Sequence, residues 1–112
     1  TDLHQGSVNG AMKDQMNVLS IFLSMGMKIP ELIKASTWTP AQVIKREELG
    51  NLSEGSVADI AIISMRNGNF GFRDVAGNKY WGKQKFECEM TIRDGKIVYD
   101  LNAIAGLIRQ VK

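Results

Sequence analysis

The residues in this sequence that could do chemistry begin with a carboxylate and an imidazole two positions apart, Asp2 and His4. Residues 1–4 could end a strand, and Gly6-Ser7-Val8-Asn9-Gly10 behind them is a loop rich in turn formers. A carboxylate at the C-terminal end of a strand, before a glycine-rich loop and a helix, sits where an α/β barrel keeps its catalytic groups. There it can bind a divalent metal and take a proton from water. The plainer reading is that Asp2 and His4 are polar residues at a chain end. Spacing alone favours that reading, because even an open catalytic zinc site takes three protein ligands.

Other chemistries find less. There is no CxxC, HExxH, glycine-rich phosphate loop or EF-hand pattern. A Ser–His–acid triad would have to use His4, the one histidine, and nothing in the sequence brings a serine to it. The single cysteine, Cys88, excludes an internal disulfide framework and suits a reducing cytoplasm. Its place in an alternating strand makes it a small buried hydrophobe rather than a nucleophile. Lys and Arg (14) are interleaved with Asp and Glu (12), so the net charge of +2 forms no basic block for nucleic acid. No run approaches the roughly 18 apolar residues of a membrane span, and no secretory signal is visible. The expectation is a cytoplasmic chain with no membrane and no nucleic-acid partner.

The 112 residues suffice for one ordinary domain. The opening Thr1-Asp2-Leu3-His4, without an initiator methionine, reads as a cut made inside a larger protein. From Lys13 to Met25, Val18, Ile21, Phe22 and Met25 recur at helical spacing, widened by Leu19 and Leu23. Gly26 sits where a left-handed helix end is wanted. Pro30 suits the first turn of a second helix through Ala35. Thr39 as N-cap and Pro40 as first helical residue start a third, from Ala41 to Arg46 or Glu47. These helices are too short to stand alone and should pack on something else.

Near Gly50 the period changes. Gly50 and Gly55, five apart, allow tight turns where a side chain would clash. Asp59 at the entrance of the strand Asp59–Met65 should tie down local backbone N–H groups. The β-branched run Ile60-Ala61-Ile62-Ile63 reads as a strand buried on both faces. Arg66-Asn67-Gly68-Asn69 and Ala76-Gly77-Asn78 read as turns, with Phe70, Phe72 and Asp74 alternating between them. Tyr80-Trp81 adds aromatic bulk for a core or an interface. Phe86, Cys88, Met90 and Ile92 then alternate with Glu87, Glu89, Thr91 and Arg93, and Asp94-Gly95 is a favoured two-residue hairpin turn. Folding about it pairs Ile92 with Ile97 and Met90 with Tyr99, bringing both apolar sides together. Leu101, Ile104, Ile108 and Val111 fit a final amphipathic helix, weakened by Gly106.

Together these stretches resemble the C-terminal portion of a metal-dependent amidohydrolase of the dihydroorotase-like and deacetylase branch. Thr1-Asp2-Leu3-His4 resembles the strand-eight motif, and Ala35-Ser36-Thr37-Trp38-Thr39-Pro40-Ala41 the helix pair that follows, with Thr39 where Asn is usual. Gly50-x-Leu52-x-x-Gly55-x-x-Ala58-Asp59 resembles the return into the small β-sandwich domain. Thr91-Ile92-Arg93-Asp94-Gly95-Lys96-Ile97-Val98-Tyr99 resembles its closing hairpin. The resemblance implies an α+β chain. Residues 1–50 would be the last strand end, rim loop and covering helices of a (β/α)8 barrel, and residues 51–112 strands of the β-sandwich. It also implies a divalent metal, usually zinc, as one or two ions. Asp2 would be metal ligand and general base, His4 would touch substrate at the pocket mouth, and the substrate would be a small amide, ester or cyclic C–N compound.

The family's first-strand His-x-His, its bridging lysine and two later histidines do not occur here. The 112-residue chain alone is therefore expected to be inactive, and its uncovered helices to favour a homo-oligomer. The competing expectation is a non-catalytic β-rich interaction module whose helices form a docking face.

Overall fold

A computed structural model describes residues 14–73 and 76–106 of the chain. Asp2 and His4 lie outside the described residues, as do Asp74, Ile108 and Val111. The described elements are helices α1 (Gln15–Ser24), α2 (Ile29–Ser36) and α3 (Trp38–Val43), a 3-10 turn (Glu47–Leu49), and strands β1 (Ile60–Arg73), β2 (Lys79–Arg93) and β3 (Lys96–Asp100). The strands form a sheet in the order β1-β2-β3, giving the expected α+β composition. Among the described residues two compact units are distinguished, one from 14–34, 65–73 and 76–87, the other from 35–64 and 88–106.

In the first unit, Asp14 starts α1 by accepting the Asn17 N–H at 2.8 Å. The helix stops at Gly26, whose φ of +99° is the left-handed conformation the sequence led us to expect. There the Met27 N–H returns to Phe22 O (3.1 Å) and the Gly26 N–H to Leu23 O (3.0 Å), satisfying carbonyls the helix would otherwise leave open. The apolar stripe is placed differently from expectation. Leu19 and Ser20 are buried, whereas Phe22 and Met25 are exposed. The reason is a polar anchor. Ser20 Oγ donates to Met16 O (2.7 Å) and accepts the Phe86 N–H of β2 (3.0 Å), which turns that side of α1 toward the strand. Phe72 and Phe86 complete this core, and Gly82 admits Phe72 and Ser24 closely, since a Cβ there would lie 3.1 Å from Ser24 Cβ.

The expected turn at Arg66-Asn67-Gly68-Asn69 does not form; β1 runs straight through it. Turn propensity loses here to partners on β2. The Arg66 guanidinium pairs with Glu87 at 3.6 Å, Gln84 Nε2 reaches Asn67 Oδ1 at 3.5 Å, and Lys85 Nζ and Arg66 Cζ lie 5.7 and 5.9 Å from the Phe70 ring centroid. Gly68 makes room for that ring, since a Cβ there would meet it at 3.1 Å. The turn at 76–78 forms as expected, with Gly77 at φ +87°.

In the second unit the start of α3 is corrected. Thr37, not Thr39, is the N-cap, so Pro40 is the third helical residue. It still lies within the first turn, where a missing N–H costs nothing. The helix ends at Val43, earlier than expected, because Lys45 adopts φ +59°. The Arg46 N–H then bonds Ala41 O (2.8 Å) and the Lys45 N–H bonds Gln42 O (3.1 Å). In β1 the residues Ala61 and Ile62 are exposed, so this strand is not buried on both faces; it lies at an edge of the sheet order.

The hairpin turns at Asp94-Gly95 with φ +48° and +79°, the mirror-image geometry that suits twisted strands. Ile92 pairs with Ile97 as expected, but Tyr99 pairs with Thr91 and Asp100 with Met90. One extra residue, Val98, shifts the register, and a single-residue slip reverses which side chains share a face. Phe86 and Met90 are buried on β2 while Ile97, Val98 and Tyr99 stay exposed. The final helix does not begin by residue 106. The Asp100 carboxylate accepts the Ile104 and Ala105 N–H groups, both at 3.0 Å, and Ala103 and Gly106 take φ +54° and +71°.

Candidate functional site

Asp2 and His4 lie outside the described residues. Among the described residues no three His, Cys, Asp or Glu side chains gather into a group that could hold a metal ion. Cys88 is half-buried, with Sγ 3.4 Å from Thr91 Oγ1 and 3.7 Å from Met90 O. Those are hydroxyl and carbonyl neighbours, not a base that would make a nucleophile of it.

Specific contacts gather at the Gly50–Asp59 connection and its surroundings in the second unit. Gly50 is buried against α3: a Cβ there would lie 2.6 Å from Ala41 Cβ and 2.8 Å from Thr37 O. Only glycine permits that approach. Gly55 serves a different need, a φ of +88° in open space. Both glycines were legible as turn and close-approach positions.

Asn51 is the residue sequence reasoning passed over. Its Nδ2 donates to Glu47 O (2.8 Å), and its Oδ1 accepts both the Ser53 N–H (2.9 Å) and Ser56 Oγ (2.7 Å). One amide thus ties the 3-10 turn to the loop on either side of Gly55. An Asn with a serine two residues on is the available signal for such a turn. Further on, the Val57 N–H reaches Glu48 O at 3.1 Å. The Glu48 side chain takes the Arg46 Nε–H at 2.6 Å, and that hydrogen bond holds its carboxyl below the ordinary glutamate range.

Asp59 does bind a backbone N–H, but not a local one. Its Oδ1 accepts from Asp94 at 2.8 Å, 35 residues away, while Ala58 O accepts the Gly95 N–H at 2.9 Å. Two motifs distant in sequence, the glycine-spaced connection and the hairpin turn, are thereby one site. Its hydrogen bonds hold the connection to the 3-10 turn and to the hairpin turn, so what the geometry shows here is structural organisation.

These elements and their order are shared with known enzymes. The chain matches the amidohydrolase family over residues 1–98. It is 35% identical over 78 residues to a deacetylase of Brucella anthropi, covering 70% of this chain and 19% of the relative. It is 30% identical over 87 residues to a deacetylase of Agrobacterium fabrum, covering 78% and 21%. Its fold resembles an adenine deaminase crystal structure with a TM-score of 0.83 at 27% identity, over 89% of this chain and 27% of that one. A dihydroorotase crystal structure gives 0.80 at 26% identity, over 89% and 28%. The likeness is thus to one class of protein, enzymes that share this α+β segment. The chain belongs to the amidohydrolase family. It spans about a fifth of the length of the curated relatives it matches.

Proposed function

We propose that this chain is part of a metal-dependent hydrolase of C–N bonds, acting on a small amide, ester or cyclic substrate. The observation that carries the reading is the family match over residues 1–98, which takes in both Asp2 and the Gly50–Asp59 connection. The likeness to a deaminase and a dihydroorotase supports the bond type, and the deacetylase relatives support an acyl-amide substrate. In this reading residues 1–50 close a (β/α)8 barrel and residues 51–112 belong to a β-sandwich. Asp2 contributes a metal-binding carboxylate that also accepts a proton, and His4 lies at the substrate's entrance. A divalent ion such as zinc would supply the acid that polarises the scissile group.

The test uses the complete protein that contains this chain. Asp2→Asn keeps the shape and removes the basic oxygen, so kcat should fall by ~10²–10⁴-fold with secondary structure unchanged. His4→Ala should raise KM more than it lowers kcat. Wild-type turnover by Asp2→Asn would overturn the assignment. The 112-residue chain alone should show no hydrolysis with added zinc; robust turnover would overturn the need for ligands from elsewhere.

A further inference from the structure

The contacts between Ala58-Asp59 and the hairpin turn have a consequence beyond holding one loop. In a two-residue hairpin with both φ values positive, the turn N–H groups face away from the ladder and ordinarily meet water. Here both are taken by successive acceptors, the Asp94 N–H by the Asp59 carboxylate and the Gly95 N–H by Ala58 O. Backbone N–H groups gathered at a left-handed turn attract anionic oxygen, and a charged acceptor makes the stronger bond. The same connection is fastened at its other end by Asn51 to Glu47, Ser53 and Ser56, and just before Ala58-Asp59 by the Val57 N–H to Glu48 O.

We propose that Ala58-Asp59 is a two-point strap that joins the Gly50–Asp59 connection to the β2–β3 hairpin, so that the two open and close as one cooperative unit. The physical ground is that the connection carries little buried apolar surface: Leu52, Ser53, Glu54 and Gly55 are all exposed. Its order rests on hydrogen bonds at its ends, and segments of that kind open together when one fastening is lost. Asp59 is a positioning residue in this scheme, and its charge strengthens the strap.

Amide hydrogen exchange on the full chain tests it. Asp59→Ala should raise exchange about tenfold at the Asp94 amide and, together with it, at the Ser53 amide, which Asn51 holds at the far end of the connection. Asp59→Asn, which keeps an oxygen acceptor, should raise both by much less. The reciprocal change, Asn51→Ala, should raise exchange at the Asp94 and Gly95 amides on the far side of the strap. This second variant keeps the test open if Asp59→Ala does not fold. Faster exchange confined in each variant to the amides that the substituted side chain itself bonds would overturn the proposal.

Discussion

Two helix ends in this chain solve the same geometric problem with different residues. α1 turns left-handed at Gly26 and α3 at Lys45, with the same pair of returning N–H bonds. A side chain in that conformation costs roughly 1–2 kcal/mol, partly offset by the extra freedom glycine has when unfolded. Lys45→Gly is therefore expected to stabilise the fold by about 0.5–1 kcal/mol. A higher urea midpoint at unchanged slope is the readout, and no shift would mean that Lys45 is not strained. Gly50 carries the opposite demand. A methyl there has no room beside Ala41 and the Thr37 carbonyl, whereas at Gly55 it has space but the wrong φ. Gly50→Ala should cost about 2–3 kcal/mol, and Gly55→Ala closer to 1, in the same titration.

Glu48 supplies the pH-dependent contact at this scale. Its carboxyl is held low chiefly by the Arg46 side chain. A carboxylate depressed in the folded state stabilises above its unfolded pKa, and that contribution is lost as pH falls through the lowered folded value. The pair is open to water, so its contribution is small and screened by salt. In an NMR titration Glu48 should release its proton below the ordinary glutamate range, and Arg46→Gln should bring it back toward that range. Coincident titration of Glu48 in both proteins would contradict the geometry.

At the scale of elements, Ser20 sets how α1 meets β2. It is 0% exposed, and its hydroxyl is the acceptor recorded for the Phe86 N–H. Ser20→Ala would leave that buried donor without it, at a cost of about 1–3 kcal/mol, although the substitution improves helix propensity. Thermal denaturation should show the loss, and a more stable Ala variant would mean that the Phe86 N–H finds another partner. The same residue explains what the sequence could and could not show. Helix existence followed from the spacing of Val18, Ile21, Phe22 and Met25, and its end from Gly26, because those signals are local. Which face is buried depended on a hydroxyl 66 residues from its partner, which periodicity does not encode. Arg66-Asn67-Gly68-Asn69 looked like a turn for the same reason: its extended form is fixed by Lys85, Glu87 and Gln84 across the sheet. The hairpin tip was legible from Asp94-Gly95, while the slip at Val98 was not, since alternation alone carries no mark of an inserted residue. At the candidate site the glycines of the connection were readable, and the long-range partner of Asp59 was not.

For the whole molecule, the decisive fact is how much of its family this chain represents. It covers 27% and 28% of the two solved enzymes that its fold resembles, and 19% and 21% of the two deacetylases. Phe22 on α1, Met25 just after it, and Ile29 and Ile33 on α2 are exposed, and Val43, Ile44 and Leu52 are exposed in the second unit. Burying one such side chain is worth ~1.5–3 kcal/mol, and soluble monomers rarely display such residues in a contiguous patch. The 112-residue chain, prepared alone, is therefore expected to associate with copies of itself through the α1–α2 residues. Light scattering should report a mass above that of one chain and rising with concentration. Phe22→Glu combined with Met25→Glu should move it toward the monomer, because both side chains already face water and their replacement leaves Leu19, Ser20 and Leu32 in place. A monomer at high concentration with Phe22 and Met25 solvated would show that these residues need no cover, and would remove the structural argument for a larger assembly around this segment.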